Sequence, residues 1–173
     1  TQTEPQTTTT QGAEATTQPA QTEPAAVPVS QAAQTFLATA DTDFKAYMDF
    51  RTITDTSSQQ YTLQQEAWTD DQGLRRMGED YLVAMGTGWL EEGCGERFHV
   101  TLDSGNAFTV MIGDIKANSD TDANHLYHPC DCGENVLEFI VDMDILASSV
   151  RNAGTISAYE EFQGNIVEIQ RLP

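Results

Sequence analysis

Two segments in the second half of the chain alternate hydrophobic and polar residues, as strands with one buried face do. Their apolar positions are two residues apart: Phe98, Val100 and Leu102 in the first segment, and Phe108, Val110 and Ile112 in the second. Between them, residues 103–106 read Asp-Ser-Gly-Asn, which is typical of a turn. The pattern therefore predicts a β-hairpin.

An aspartate ends two of the predicted strands. Asp114 follows Gly113 at the end of the second hairpin strand, and Asp142 follows a later alternating segment whose apolar positions are Leu137, Phe139 and Val141. Two carboxylates at strand ends in a small β domain are candidate functional groups.

Residues 31–80 contain weaker signals. An alanine-rich segment over residues 31–40 predicts a short helix, and a period of two predicts a strand through Phe44, Ala46, Met48 and Phe50. Ser57, with Gln60 three residues later, resembles a capping box before a helix of about ten residues. Residues 69–73 are predicted to form a turn.

The composition divides the chain into three regions. Residues 1–34 consist almost wholly of Thr, Gln, Pro, Ala and Glu, which bury too little apolar surface to offset their ordering entropy. This predicts a disordered linker or stalk, or a tail with no function. Residues 35–80 are predicted to form a helical and strand subdomain, and residues 81–173 the main β domain. The subdomain is expected to pack through Phe44, Tyr61, Leu63 and Trp68.

The main domain resembles a known family in the order of its motifs. The turn S-G-N, the strand F-T-V-M-I-G-D, and the later strand E-F-I-V-D with a short helix and a glycine resemble the double-psi β-barrel of rare lipoprotein A, of expansins and of bacterial three-aspartate (3D) domains. The resemblance covers roughly residues 81–172 and implies a mainly β (α+β) fold with a six-stranded double-psi-like barrel. It also implies a helix over residues 143–153, after Asp142. Asp-Ile-Lys-Ala at 114–117 departs from the Asp-Arg-Gly-Pro turn of rare lipoprotein A.

The resemblance also implies a catalytic group of carboxylates. Asp114, Asp142 and one of Asp120 or Asp122 are expected to face a groove across the barrel. Cleavage of a glycan by a lytic transglycosylase needs one carboxylic acid that protonates the glycosidic oxygen, and burial beside other anions raises the pKa of such an acid. The predicted catalytic residues are Asp114, Asp142 and Asp122. The alternative is structural, because aspartates at strand ends often cap turns or helices.

Two further residues are candidates for contact with a substrate. Trp89 has a ring suited to stacking on a sugar, although a place in the core or at the barrel rim is the alternative, and Lys116 lies two residues after Asp114. No phosphate-binding loop or nucleophile elbow occurs in the sequence, and no cofactor is predicted.

The three cysteines allow several interpretations. Outside the cell, a disulfide between Cys94 and either Cys130 or Cys132 is expected, which leaves one thiol. A zinc site that also uses His125 and His128 is an alternative, as are free thiols, but Cys-x-Cys spacing is too tight for most zinc sites. Residues 120–131 imitate an EF-hand loop, with His125 where a glycine is normal. No metal is predicted.

The formal charge of −19, from 8 basic and 27 acidic residues, limits the classes of partner. Nucleic acid and anionic membrane surfaces are repelled by such a field, and no apolar run approaches the roughly 18 residues that span a bilayer. Solubility is one reason for the acidity, and work in a wall rich in divalent ions is another. A signal peptide or anchor removed ahead of Thr1 is one interpretation of the first residue, and a recombinant start is another.

These observations predict a secreted or surface-held bacterial protein that acts on or binds cell-wall glycan, with peptidoglycan as the expected partner. The whole chain also resembles secreted proteins of Gram-positive gut bacteria, which implies no activity. The alternative is a non-catalytic surface or interaction module that keeps only the barrel fold. An open groove with converging carboxylates favours the enzyme. Aspartates fully engaged by backbone N–H groups, with no cleft above them, favour the module.

Overall fold

The structure, a computed structural model, describes residues 40–173 and the strand Gln34–Thr35. The linker predicted over residues 1–34 otherwise lies outside the described residues. The short helix predicted over residues 31–40 is wrong at Gln34–Thr35, which pair as a strand. The rest of that segment, up to residue 39, is not among the described residues.

The described residues form eleven strands and two α-helices, so the predicted mainly β class is confirmed. The strands are β1 (Gln34–Thr35), β2 (Ala46–Asp49), β3 (Trp68–Thr69), β4 (Arg75–Met77), β5 (Asp80–Met85), β6 (Arg97–Leu102), β7 (Ala107–Ile115), β8 (His128–Cys130), β9 (Gly133–Asn135), β10 (Glu138–Val141) and β11 (Ile166–Leu172). The helices are α1 (Gln59–Glu66) and α2 (Ser148–Ala153).

Nine strands share one mixed sheet. Its main path runs β1-β11-β6-β7-β5-β10-β2, with β4 beside β5 and β3 beside β4, while β8 and β9 form a separate hairpin. The pairs β5–β7 and β10–β2 are parallel, and every other pairing among these strands is antiparallel. Within the described part of the chain the path stays open and closes no barrel.

The predicted hairpin is confirmed as β6 and β7. Phe98 lies opposite Val110, and Val100 opposite Phe108. The alternating apolar residues of β6 are buried because one face of this hairpin packs on the core.

The sheet continues across the predicted boundary between residues 80 and 81. The strand predicted through Met48 is β2, which pairs with β10, and β4 pairs with β5. Residues 40–80 therefore supply strands of the main sheet rather than a separate unit that packs on it. Trp68 is 50% exposed, so the prediction that it packs on the main domain is wrong.

The N-cap of helix α1 is Ser58, one residue after the predicted N-cap Ser57. The Ser58 hydroxyl accepts the Tyr61 N–H at 3.0 Å, whereas Ser57 bonds to Asp55 in the preceding turn. The helix predicted over residues 143–153 is shorter, because a turn on the Asp142 carbonyl occupies its first residues and α2 starts only at Ser148.

An aromatic group occupies the core on one face of the sheet. Phe139 and Phe162 are fully buried, and their ring centroids lie 4.9 Å apart in an edge-to-face arrangement. Tyr81 and Phe108 complete the group with similar edge contacts. Each buried phenylalanine contributes roughly 1.5–3 kcal/mol, so this cluster holds β5, β7 and β10 to the C-terminal segment.

Side chains connect the β2 end of the sheet path to β11, the strand next to its other end. Thr42, just before β2, accepts the Ile166 N–H at 2.7 Å, and its own N–H donates to the Asn165 side chain at 2.9 Å. The fully buried Lys45 donates from Nζ to the carbonyls of Asp43 and Gly164, each at 2.9 Å. These bonds tie the segment before β2 to the start of β11 without a backbone ladder.

Candidate functional site

A cavity of about 560 Å³ opens where β5 and β7 end and β10 begins. It is called the main cavity below. Asp114 lies opposite Ala84, which lies opposite Glu138, which in turn lies opposite Ala46. Paired residues share one face of a sheet, and all four line the main cavity. The register therefore brings the carboxyl groups of Asp114 and Glu138 to the same wall, two strands apart.

Asp114 is held in a half-buried position at this wall. Burial raises the pKa of its carboxyl group, against the opposing effect of hydrogen bonds from the Ile115 N–H and the Gln60 side chain. Gly113 leaves room for a side chain from β10, because a Cβ there would stand 2.8 Å from Ile140 Cδ1. A carboxyl group with a raised pKa, open to a cavity, is suited to donating a proton.

Lys116 is a buried wall residue of the same cavity. Its backbone N–H donates to the Met85 carbonyl at 2.9 Å, and its Nζ donates to the Asn135 carbonyl at 3.0 Å. Burial lowers the pKa of its amine to about 8, although the charge of Glu138 opposes this shift. The predicted contact between Lys116 and a substrate remains a prediction, and its position at the cavity permits it.

The cysteine prediction is wrong in its pairing. Cys130 and Cys132 form a disulfide with each other across the turn between β8 and β9, and Cys94 is a free thiol. The disulfide lies in the wall of the main cavity. Burial, and then the charge of Asp114, raise the pKa of the Cys94 thiol to about 11. The prediction of one remaining thiol is confirmed, with Cys94 in that role.

Asp142 does not join Asp114. Strand β10 is antiparallel to β5 while β7 is parallel to it, so the end of β10 and the end of β7 lie at opposite edges of the sheet. The Asp142 carboxylate accepts the Asp144 N–H at 3.0 Å and faces Arg51 Nη2 at 3.4 Å. The predicted convergence of these two aspartates is wrong, because the directions of the strands separate them.

Asp122 closes its own loop. Its carboxylate accepts the backbone N–H groups of Asn124, Leu126 and Tyr127 at 2.6–3.0 Å. Burial alone would raise the pKa of Asp122, but these hydrogen bonds outweigh it and hold the pKa below its ordinary value. Asp122 therefore has the structural role that the sequence analysis gave as the alternative. Asp120, the other candidate for the third carboxylate, is exposed and lines the main cavity.

The loop around Asp122 turns sharply at His125. Of the described residues, His125 is the one non-glycine residue with a positive φ, of 57°. An EF-hand loop uses glycine at that point. Among the residues that the structure describes, no group of three His, Cys, Asp or Glu side chains is arranged to hold a metal ion.

Trp89 belongs to the core. Its side chain packs in the main hydrophobic cluster with 5% of the residue exposed, and its Nε1 donates to the Leu126 carbonyl at 2.7 Å. Its indole face is therefore turned to protein rather than to a groove, and the predicted stacking of Trp89 on a sugar is wrong.

The sequence does not identify two residues of the site, Glu138 and Gln60. Glu138 begins the strand that Asp142 follows, and only the direction of β10 brings it to the cavity. Gln60 lies in the first turn of α1 and reaches Asp114 across the chain. Neither position carries a local sequence signal that distinguishes it from an exposed polar residue.

Comparison with known proteins adds no family. No protein-family model matches the chain, and no curated protein or solved structure is significantly similar to it. Among the described helices, none is both long enough and apolar enough to cross a membrane.

Proposed function

We propose that the protein binds cell-wall glycan of the peptidoglycan class in the main cavity and cleaves it in the manner of a lytic transglycosylase, with Asp114 as the acid. The observation that carries the proposal is the half-buried carboxyl group of Asp114, whose pKa burial raises, in the wall of a cavity of about 560 Å³. Pockets of this volume are in the range that holds small organic ligands.

One carboxyl group suffices for this reaction. Protonated Asp114 donates its proton to the glycosidic oxygen as the C–O bond breaks, and the resulting carboxylate then takes a proton from a hydroxyl of the same sugar. That hydroxyl oxygen forms the new bond to the sugar carbon, which yields an anhydro ring without water. The carboxylates of Glu138 and Asp120 line the same cavity and favour the positive charge that develops on the sugar.

The order of the longer strands supports a relationship to the double-psi barrel. Strands β11, β6, β7, β5, β10 and β2 follow one another in the sheet, two of their pairings are parallel, and Thr42 ties the β2 end to the β11 end. We propose that this arrangement is a double-psi-like barrel with one seam made by side chains. The disulfide Cys130–Cys132 supports an oxidising, extracellular location.

The test is digestion of purified peptidoglycan by the full chain. The expected products are soluble fragments that end in anhydro sugars, detected by mass spectrometry. Asp114→Asn is expected to lower their rate of release at least about 100-fold, because an amide does not donate and retrieve a proton. Asp142→Asn, a matched change at the other edge of the sheet, is the control and should keep the activity. Equal activity of the two variants would remove Asp114 from the mechanism.

A non-catalytic wall-binding module is the second candidate. The observation that favours it is that Asp142 and Asp122, two of the three predicted catalytic residues, are engaged by backbone N–H groups. In this case the native chain and Asp114→Asn both co-sediment with peptidoglycan and neither releases fragments. A chain that neither cleaves nor co-sediments excludes both wall functions.

A further inference from the structure

The main cavity is one of three adjoining clefts. A side cleft of about 300 Å³ lies between β2 and the start of α1 and shares Met48 and Asp114 with the main cavity. An aromatic cleft of about 320 Å³ shares Ile53 and Thr54 with the side cleft. Because each cleft shares two wall residues with the next, the three clefts adjoin one another in a row along the protein surface, and this row is called the groove below.

Asp114 lies within this groove rather than at its end. The main cavity extends from it toward Lys116 and the disulfide hairpin, and the side and aromatic clefts extend from it toward α1. A chain-like ligand that fills the groove therefore passes Asp114 with units on both sides. A site built to remove terminal units would instead have a wall next to its acid.

The aromatic cleft has the composition of a sugar subsite. Phe50 and Tyr61 supply rings, and the side chains of Thr56 and Gln65 supply hydroxyl and amide groups at the same wall. The Arg75 guanidinium carbon lies 4.5 Å from the centroid of the Phe50 ring and covers part of that ring. Tyr61, half-buried on α1, is consequently the ring available to a ligand.

The charges along the groove select against anions. Asp55 and Asp114 line the side cleft, and Asp120 and Glu138 line the main cavity. The guanidinium of Arg51, at the aromatic end, is shared among three carboxylates, those of Asp49, Asp142 and Asp144. No cation among these groove residues is left without an anionic neighbour to attract a polyanion, so the groove is suited to an uncharged polymer.

We infer, on the basis of the proposed function, that the groove holds a linear, uncharged N-acetylhexosamine polymer across Asp114, with Tyr61 packed against a sugar ring several units from the reacting bond. The protein then cuts within chains rather than from their ends. The class of ligand follows from the aromatic ring, the amide and hydroxyl side chains and the negative charge along the groove.

The experiment measures binding by calorimetry to the N-acetylglucosamine hexamer and dimer. The full chain carries Asp114→Asn, so that no ligand is consumed. The hexamer is expected to bind at least about tenfold more tightly than the dimer. Tyr61→Ala is expected to weaken hexamer binding about tenfold, because burial of an aromatic ring against a sugar changes the affinity by a factor on the order of ten. Tyr61→Phe keeps the ring and should keep the affinity. Trp68→Ala removes an exposed aromatic ring outside the groove and is the matched control.

Thr54→Trp fills the junction between the side and aromatic clefts from an exposed position, and it is expected to reduce hexamer binding to the level of the dimer. It replaces Tyr61→Ala if that variant does not fold. Equal binding of hexamer and dimer, or equal effects of Tyr61→Ala and Trp68→Ala, would overturn the inference. Digestion of peptidoglycan separates the two proposals: release of anhydro fragments that Tyr61→Ala and Thr54→Trp leave unchanged retains the proposed function and removes the extended groove.

Discussion

The two edges of the sheet carry the same sequence signature and use it differently. At one edge Asp114, the residue before the end of β7, lines a cavity and has a carboxyl group whose pKa is raised by burial. At the other edge Asp142 follows β10, accepts a backbone N–H and faces Arg51. One position is built to expose a carboxyl group to a ligand, and the other uses its carboxylate to start a turn.

The difference comes from what surrounds each strand end. Next to Asp142, the Asp142 N–H donates to the Gly73 carbonyl at 2.8 Å, and the Asp142 carbonyl accepts the Leu146 N–H at 2.9 Å, so a tight backbone network fills the space. Next to Asp114, β5 ends and β10 beyond it has only begun. The chain also leaves the sheet here through Lys116 and its loop, and together these leave a cavity. A strand-end aspartate is therefore a functional candidate only when the adjoining elements leave space beside it.

The largest effect on stability is expected at the Asp142 edge. Gly73→Ala places a Cβ 2.6 Å from the Leu146 backbone nitrogen at a φ of +89°, and such strain with a backbone clash costs about 3 kcal/mol. Gly113→Ala at the other edge meets the flexible end of Ile140 and is expected to cost about 1 kcal/mol. Urea unfolding of both variants gives the two free energies. Equal costs would mean that the two edges are equally tight.

The Asp114 edge is expected to respond to alkaline pH. The pKa of the Lys116 amine is about 8 in the folded protein and 10.5 in its ordinary state, so between these values the unfolded chain binds more protons and stability rises with pH. From pH 7.5 to 9 the gain from this residue is about 1 kcal/mol. Lys116→Met should remove that gain, measured as the pH dependence of the urea midpoint.

A residual rise is expected in Lys116→Met, because burial also lowers the pKa of Lys45 to about 8 and that group keeps its contribution. The measurement stops at pH 9 because of Cys94, whose thiol pKa is raised from its ordinary value of 9 to about 11. Above pH 9 this thiol lowers the stability as the pH rises, which opposes the effect of the lysines. An unchanged slope in the variant would contradict the burial of a titrating amine at the cavity.

The smallest effect compares the two aspartates themselves. Asp142→Ala loses an ion pair and a capping acceptor and is expected to lower the free energy of unfolding by about 1 kcal/mol. Asp114→Asn is expected not to lower it at neutral pH, because the raised pKa means that the folded state disfavours the charged form that the amide replaces. Chemical denaturation at pH 7 measures both. A larger loss for Asp114→Asn would show that its carboxylate is structural.

Local patterns were enough for the β6–β7 hairpin and its turn. The alternation around Val100 and Val110 predicted the hairpin, because one-sided burial needs side chains of period two, and the residues at 103–106 predicted its turn. The single remaining thiol followed from an odd number of cysteines. Asp114 was among the three predicted catalytic aspartates, together with Asp142 and Asp122.

Only the tertiary structure decided which groups meet. Whether Asp142 or Glu138 shares a wall with Asp114 depends on the direction of β10, and strand direction is set by long-range pairing that leaves no trace in a local pattern. The cysteine pairing is local, since Cys130 pairs with Cys132 two residues later, but only the structure shows that Cys94 is left out of it. The sequence by itself determined the β6–β7 hairpin and its buried face, because these depend on residues close together in the chain. The site depends on contacts between distant residues, and folding alone brings these together.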